Sequence, residues 1–151
     1  MRLMDRHNPV SEAEHEAWFR SVVQGEGCAY FAIEAVDGGA HVGNTWLWAI
    51  DQRHRKAELR VVIGDAAARG RGMGAEAIDR LCGHAFETLG LHRVYAYVLA
   101  INPAARHAFE RAGFALEGTL RDDRWADNEF VDTYLLARLR EGRLKPAPTT
   151  Y

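Results

Sequence analysis

The chain has 151 residues, 48% of them hydrophobic and 26% charged, with a formal net charge of −2. That length suits one domain with a sizeable core, and the near-neutral balance gives no reason to expect nucleic-acid binding by bulk charge. No run of roughly 18 apolar residues offers a membrane span, and the two cysteines, Cys28 and Cys82, make neither a disulfide framework nor a metal-ligand spacing.

Residues 1–10 carry no readable pattern and no apolar stretch of the secretory type. Together with thiols expected to be reduced and buried, this reads as a cytoplasmic protein. Ser11 and Glu14 are spaced as a capping box, each side chain within reach of the other's N–H. Trp18, Phe19, Val22 and Val23 then fall on one helical face, and Gly25 and Gly27 end the helix. Tyr30 to Ala35 predicts a strand, Asp37-Gly38-Gly39 a turn, and His41 to Ile50 a returning hairpin partner. Ala57 to Ile63 is the next strand, after a charged loop from Asp51 to Lys56.

Residues 65–74 form a glycine-rich loop, and the segment after it predicts the clearest helix of the chain. Ile78, Leu81, Cys82, Ala85, Phe86 and Leu89 make one continuous buried stripe, stopped by Gly90. Val94 to Leu99 predicts a strand. Asn102-Pro103 is a helix start, with Asn as cap and Pro at the first position, and Gly113 its end. Phe114 to Leu120 and Phe130 to Leu139 are two last strands joined by a charged loop, Arg121 to Glu129. The organisation expected is one domain over 1–140, a mixed α/β fold around one sheet, with a loose tail over 141–151.

The chemistry sits in Arg69-Gly70-Arg71-Gly72-Met73-Gly74, between a strand and a strong helix. Alternate glycines let the backbone approach a ligand closely. The first N–H groups of a helix have no internal partner and its dipole favours an anion. With Arg69 and Arg71 adding charge, the loop predicts a phosphate or pyrophosphate at the helix N-terminus. It is no Walker loop, because Gly74 is followed by Ala75-Glu76 rather than Lys-Ser/Thr. It is no dinucleotide fingerprint either: position 75 is Ala, and Val94 stands where an acidic residue belongs.

The Arg-Gly-x-Gly-x-Gly run resembles the acetyl-CoA pyrophosphate loop of the GNAT N-acetyltransferase superfamily, and the likeness extends over about residues 11–140. Ala57 to Gly74 is similar to that family's central strand and loop. Phe86-Glu87-Thr88-Leu89-Gly90-Leu91-His92-Arg93-Val94, the Asn102–Ala105 and Arg106–Phe114 segments, Glu117-Gly118-Thr119-Leu120-Arg121 and Asp132 resemble the RimJ/RimL ribosomal-protein branch. Residues 11–19 look like amino-sugar acetyltransferases of the pseudaminic-acid pathway. The resemblance implies an α+β fold whose mixed, mostly antiparallel sheet splays between two parallel strands, with helices on both faces. It implies acetyl-CoA as co-substrate and no metal. Pantetheine would lie against Val62, Ile63 and Gly64, and the pyrophosphate on the backbone of Arg69, Gly70, Arg71, Gly72, Met73 and Gly74. Asn102 and Arg106 would meet the coenzyme from the other side.

The implied reaction is transfer of acetyl to a primary amine, attacking directly as the neutral amine. An alkylammonium must therefore lose a proton. Glu58, at the start of the strand that would hold the coenzyme, is the first choice of base, ahead of His54 and Glu34. Relatives carry a tyrosine seven residues after the asparagine as the thiol's acid; here that position is Phe109, which cannot donate. Either the thiolate leaves unassisted, or His107 or a water serves. Trp46 and Trp48 share a strand face and are candidates to wall the acceptor pocket. Arg124 and Trp125, in the charged loop, are candidates to read it. The acceptor expected is a nucleotide-linked amino sugar or a protein N-terminal amine, with no nucleic acid and no membrane as partner. The family's first strand has at most ten residues here in which to form, which leaves the pocket either more open or completed by a second subunit in a homodimer. The alternative, invited by Phe109, is a CoA-binding or sensing protein without turnover. His15-Glu16 resembles half a zinc motif, but Phe19 stands where the second histidine belongs.

Overall fold

Ser11 and Glu14 close the expected capping box: the Ser11 N–H donates to Glu14 Oε2 at 2.9 Å and the Glu14 N–H donates to Ser11 Oγ at 3.2 Å. They open α1 (Glu12–Gln24). The computed structural model describes residues 11–24 and 27–141. Residues 1–10, the side chains of the stripe Trp18, Phe19, Val22 and Val23, the stop at Gly25 and the tail beyond Glu141 lie outside the described residues.

Six strands follow: β1 (Ala29–Glu34), β2 (His41–Asp51), β3 (Lys56–Ile63), β4 (Arg93–Leu99), β5 (Ala115–Ala126) and β6 (Glu129–Leu139). They form one sheet in the order β1-β2-β3-β4-β6-β5. Every neighbouring pair is antiparallel except β3 and β4. A parallel pair needs a crossover, and α2 (Met73–Gly83) supplies it. The last helix, α3 (Pro103–Arg111), leaves the end of β4 behind its cap, with Asn102 Oδ1 accepting the Ala105 N–H at 3.1 Å.

Alternation along the strands sorts the side chains. Leu47 of β2, Ala57 and Leu59 of β3, Val94, Ala96 and Val98 of β4 and Leu136 of β6 share one face. They pack there with Ile78, Leu81 and Cys82 of α2, with Ala85 and Phe86 just after it, and with Phe109 and Ala112 at α3. Burying a side chain of the Leu47 or Ile78 kind stabilises the fold by about 1.5–3 kcal/mol. Residues of opposite parity, Trp46, Trp48, Glu58, Arg60, Tyr95 and Tyr97, lie on the other face, paired in register as Trp46 with Arg60, Trp48 with Glu58 and Glu58 with Tyr95.

Two segments differ from the sequence expectation. The stripe from Ile78 to Leu89 does not ride one α-helix. Past Gly83 the chain widens into a π turn, His84–Thr88, in which the Leu89 N–H donates to His84 C=O at 3.1 Å and the Leu91 N–H to Ala85 C=O at 2.9 Å. The wide turn keeps Ala85 and Phe86 on the core and delivers Leu91 into it, fully buried. The charged stretch Arg121 to Glu129 is not a loop but strand, apart from a two-residue turn. Asp127 and Asn128 carry φ of 50° and 64°. This is the left-handed pair that a tight hairpin demands and that Asp and Asn tolerate. Arg124 and Trp125 therefore belong to β5, and Trp125 meets Phe130 edge to face across the hairpin at 4.9 Å.

Candidate functional site

The parallel pair is short. Lys56, Ala57 and Glu58 of β3 lie opposite Arg93, Val94 and Tyr95 of β4, and the pairing stops there. Beyond Glu58, β3 stays with β2 as far as Ile63, while beyond Tyr95, β4 stays with β6 as far as Leu99. The sheet thus splits into two arms with a wedge between them. Backbone groups of Leu59 to Ile63 that face the wedge have no partner strand, and such groups are costly unless something bonds them. Val62 and Ile63 line this arm and Gly64 ends it, where the Gly64 and Asp65 N–H groups both donate to Val42 C=O.

The glycine–arginine loop stands at the mouth of the wedge, between the end of β3 and α2. Gly70 and Gly72 have φ of 74° and 81°, where side-chain-bearing residues are strained. Gly72 caps α2 with no side-chain bond, and the first helical bond runs from the Glu76 N–H to Gly72 C=O at 3.1 Å. The N–H groups of Met73, Gly74 and Ala75 are therefore without an intrahelical acceptor.

The two loop arginines divide their work. Arg69 turns back onto the strand, its Nε donating to Ile63 C=O at 3.0 Å and its Nη2 to Gly64 C=O at 3.4 Å. It pins the loop to β3 rather than extending over the helix start. Arg71 is exposed. A third cation, missed in the sequence, joins it: Arg111, from the end of α3, places Nη1 4.0 Å from where a Cβ on Gly72 would stand. Among the described residues neither Arg71 nor Arg111 has a carboxylate partner. Only the packing of α3 beside α2 brings Arg111 there from a distant part of the sequence. Asn102 and Arg106 are occupied locally. Asn102 caps α3, while Arg106 donates to Glu110 at 2.8 Å and lies 4.6 Å over the Tyr134 ring.

At the apex, Glu58 is nearly buried, its side chain 12% exposed. Arg60 binds both carboxylate oxygens, Nε to Oε1 at 2.8 Å and Nη2 to Oε2 at 3.3 Å. Each oxygen keeps a further lone pair. Tyr95 faces Glu58 across the strand pair, and its phenol is pushed above the usual range, first by burial and then by the Glu58 charge. Phe109 is core, edge to face with Phe114 at 5.0 Å, and His107 is exposed on α3. His54 sits in the β2–β3 turn, its N–H on Asp51 Oδ1, at the closed end of the strand pair. Glu34 lines a cleft of about 590 Å³ between β1 and α2, with Phe31, Thr45 and His84, and the cleft shares Arg71 and Met73 with the glycine–arginine loop and helix start. Neither is brought to the apex. Of the tryptophans, Trp46 is buried and Trp48 is 37% exposed. The β5–β6 hairpin bearing Arg124 and Trp125 runs on past Leu99, at the end of the sheet where the wedge opens. The Cys82 thiol is fully buried, and that burial pushes its pKa up to about 12, so it has no nucleophilic part here.

A sheet split at one parallel pair, with a glycine loop and helix start at the mouth, defines a class, and sequence comparison agrees. The chain belongs to the acetyltransferase (GNAT) domain family, whose model matches residues 1–115. A spermidine N(1)-acetyltransferase of Vibrio cholerae is 32% identical over 91 residues, which are 60% of this chain and 52% of that protein. A putative ribosomal N-acetyltransferase of Bacillus subtilis is 35% identical over 107 residues, 69% of this chain and 58% of that one. The chain thus spans a little over half the length of these curated relatives. A crystal structure of the Vibrio cholerae spermidine N-acetyltransferase in complex with CoA and spermine matches at a TM-score of 0.81 with 26% identity, covering 89% of this chain and 78% of that one.

Proposed function

We propose that this chain is an acetyl-CoA-dependent N-acetyltransferase that moves the acetyl group to a primary amine. The observation that carries the reading is the divergence of β3 and β4 directly beyond Glu58 and Tyr95. A pantetheine arm is an amide-bearing chain of the right kind to bond the bare edge of Leu59 to Ile63. The helix start, with Arg71 and Arg111 beside it, suits the pyrophosphate. Arg69 serves by holding the loop in place.

The helices α2 and α3 cover one face, so the acceptor amine approaches the thioester from the face that carries Glu58, Arg60, Tyr95 and Trp48. Glu58 takes the amine's proton through a free lone pair, directly or by way of a water. Tyr95, a phenol that is protonated at neutral pH, is the residue we assign to supply the proton that the departing thiolate needs, the role Phe109 cannot fill. The sequence likeness of residues 11–19 supports a nucleotide-linked amino sugar as acceptor and the body of the chain a peptide α-amine, while a relative's name adds spermidine to the panel.

Titration of acetyl-CoA by calorimetry, followed by thiol release with these acceptors, tests the reading. Micromolar binding with turnover on at least one amine is expected; absence of binding overturns it. Phe109 supports a second reading, a CoA-binding protein that does not turn over, and binding without transfer to any amine would favour that one.

A further inference from the structure

Arg60 is the first charged group beyond the apex on the acceptor's side of the wedge, and it is held from several directions. Its guanidinium grips Glu58 through two nitrogens, lies 5.4 Å from the centre of the Trp48 ring, and hangs from a backbone whose carbonyl accepts the Thr45 hydroxyl at 2.9 Å. The ion pair is lopsided. The Glu58 side chain is 12% exposed and the Arg60 side chain 46%, so the cationic partner is the more open to solvent. The remaining N–H donors of Arg60 are not used by Glu58. Arg93, on the same face, is by contrast closed by Glu117 through both of its terminal nitrogens.

We propose that Arg60 and Trp48 read the acceptor, and that the acceptor is an amine carrying an anionic group, a carboxylate or a phosphate, close to the nitrogen. This rests on the acetyl-transfer reading above and narrows its substrate class. A guanidinium fork matches carboxylate and phosphate geometry. A fork already fixed by a buried carboxylate and an indole face loses little further freedom on binding an anion. The half-exposed Trp48 ring offers a flat surface for the rest of the acceptor. The same guanidinium disfavours a positive charge beside it, which helps an incoming ammonium give up its proton to Glu58. A polycation free of anionic groups gains no contact from Arg60 and is repelled by its charge.

Matched acceptors decide it, with thiol release as readout: an α-amino acid against its amide, an amino-sugar phosphate against the unphosphorylated amino sugar, and spermidine. The anionic member of a pair should win by about tenfold or more in kcat/KM, and which pair shows the effect separates carboxylate from phosphate. Arg60→Gln should erase that preference through KM while calorimetric affinity for acetyl-CoA stays put. Arg60→Lys, which keeps the charge without the fork, should retain part of it. Trp48→Leu should raise KM for the preferred acceptor. Preference for spermidine or the uncharged amines, or an Arg60→Gln protein that discriminates as before, overturns the proposal and leaves acetyl transfer standing. Loss of acetyl-CoA binding in the wild type would instead remove the reading on which it rests.

Discussion

Glu58 and Tyr95 are the last residues of β3 and β4 to face one another, and they form the apex of the wedge. Their chemistry is complementary. Glu58 is an acceptor with lone pairs to spare beyond Arg60, and Tyr95 is a donor whose proton is held to higher pH by burial and by the Glu58 charge. Glu58→Gln should therefore lower kcat by about 10²–10⁴, the range of a lost general base. Coenzyme affinity should be unchanged. Retention of wild-type kcat would make Glu58 a structural partner of Arg60 and nothing more.

The arginines at the wedge mouth should separate by phenotype. Arg71→Ala and Arg111→Ala remove cations that have no partner in the described protein, so each should weaken acetyl-CoA binding by about tenfold, as expected for one charge-assisted contact to phosphate, and leave Tm alone. Arg69→Ala withdraws bonds from the Ile63 and Gly64 carbonyls. It should lower thermal stability as well as affinity, by about 0.5–1.5 kcal/mol per bond lost. Calorimetry paired with a thermal melt distinguishes the two. An Arg111→Ala protein with unaltered affinity would place that residue outside the coenzyme site.

How far the sequence could be read follows from which forces are local. The capping box at Ser11, the Asn102 cap and the alternation of β3 and β4 are short-range signals, and β1 to β4 and α3 appear within a residue or two of their expected bounds. The charged run after Leu120 misled because its hydropathy says loop. The deciding feature is the Asp127-Asn128 turn, whose left-handed φ values let charged residues continue as strand to Ala126. The π turn was hidden because the apolar spacing of Ala85 and Phe86 suits an α-helix equally well. The loop 69–74 was legible as a unit, but not the direction of the Arg69 side chain, which depends on carbonyls freed where β3 ends. Glu58 and Trp48 are singled out by the sequence, but Arg111 and the joining of Arg60 to both of them carry no local signature. They arise from helix packing and strand register.

Gly43 fixes one arm of the wedge. It pairs with Ile63, and a Cβ added to it would stand 2.1 Å from Val62 O and 3.0 Å from Ile63 Cα, backbone atoms that cannot swing aside. Gly43→Ala should destabilise the protein by more than about 2 kcal/mol, as overpacking against a rigid neighbour does, and should shift the β3 arm enough to weaken acetyl-CoA binding in whatever folds. Gly83 is the control. It has φ of −56° at the end of α2, and nothing lies within 4 Å of its added Cβ. Gly83→Ala should stabilise by about 0.4–1 kcal/mol through the unfolded chain. Urea melts of both variants test the contrast, and equal effects at the two sites would contradict it.

Glu117 gives the fold a pH dependence of known sign. Both terminal guanidinium nitrogens of Arg93 donate to its carboxylate and tie β4 to the β5 bulge. That hydrogen bonding, and then the Arg93 charge, holds Glu117 below its ordinary value of 4.5 against an opposing contribution from burial. A carboxyl depressed in the folded state contributes stability that is complete above its unfolded pKa and disappears as pH falls through the folded one. The Tm difference between wild type and Glu117→Gln should accordingly be largest near pH 7, begin to shrink below about pH 4.5 and close at still lower pH. Its size should be modest and should diminish with salt, because the Glu117 side chain is 38% exposed. A Tm difference that holds constant from pH 7 to pH 3 would mean that Glu117 acts through packing and not through its charge.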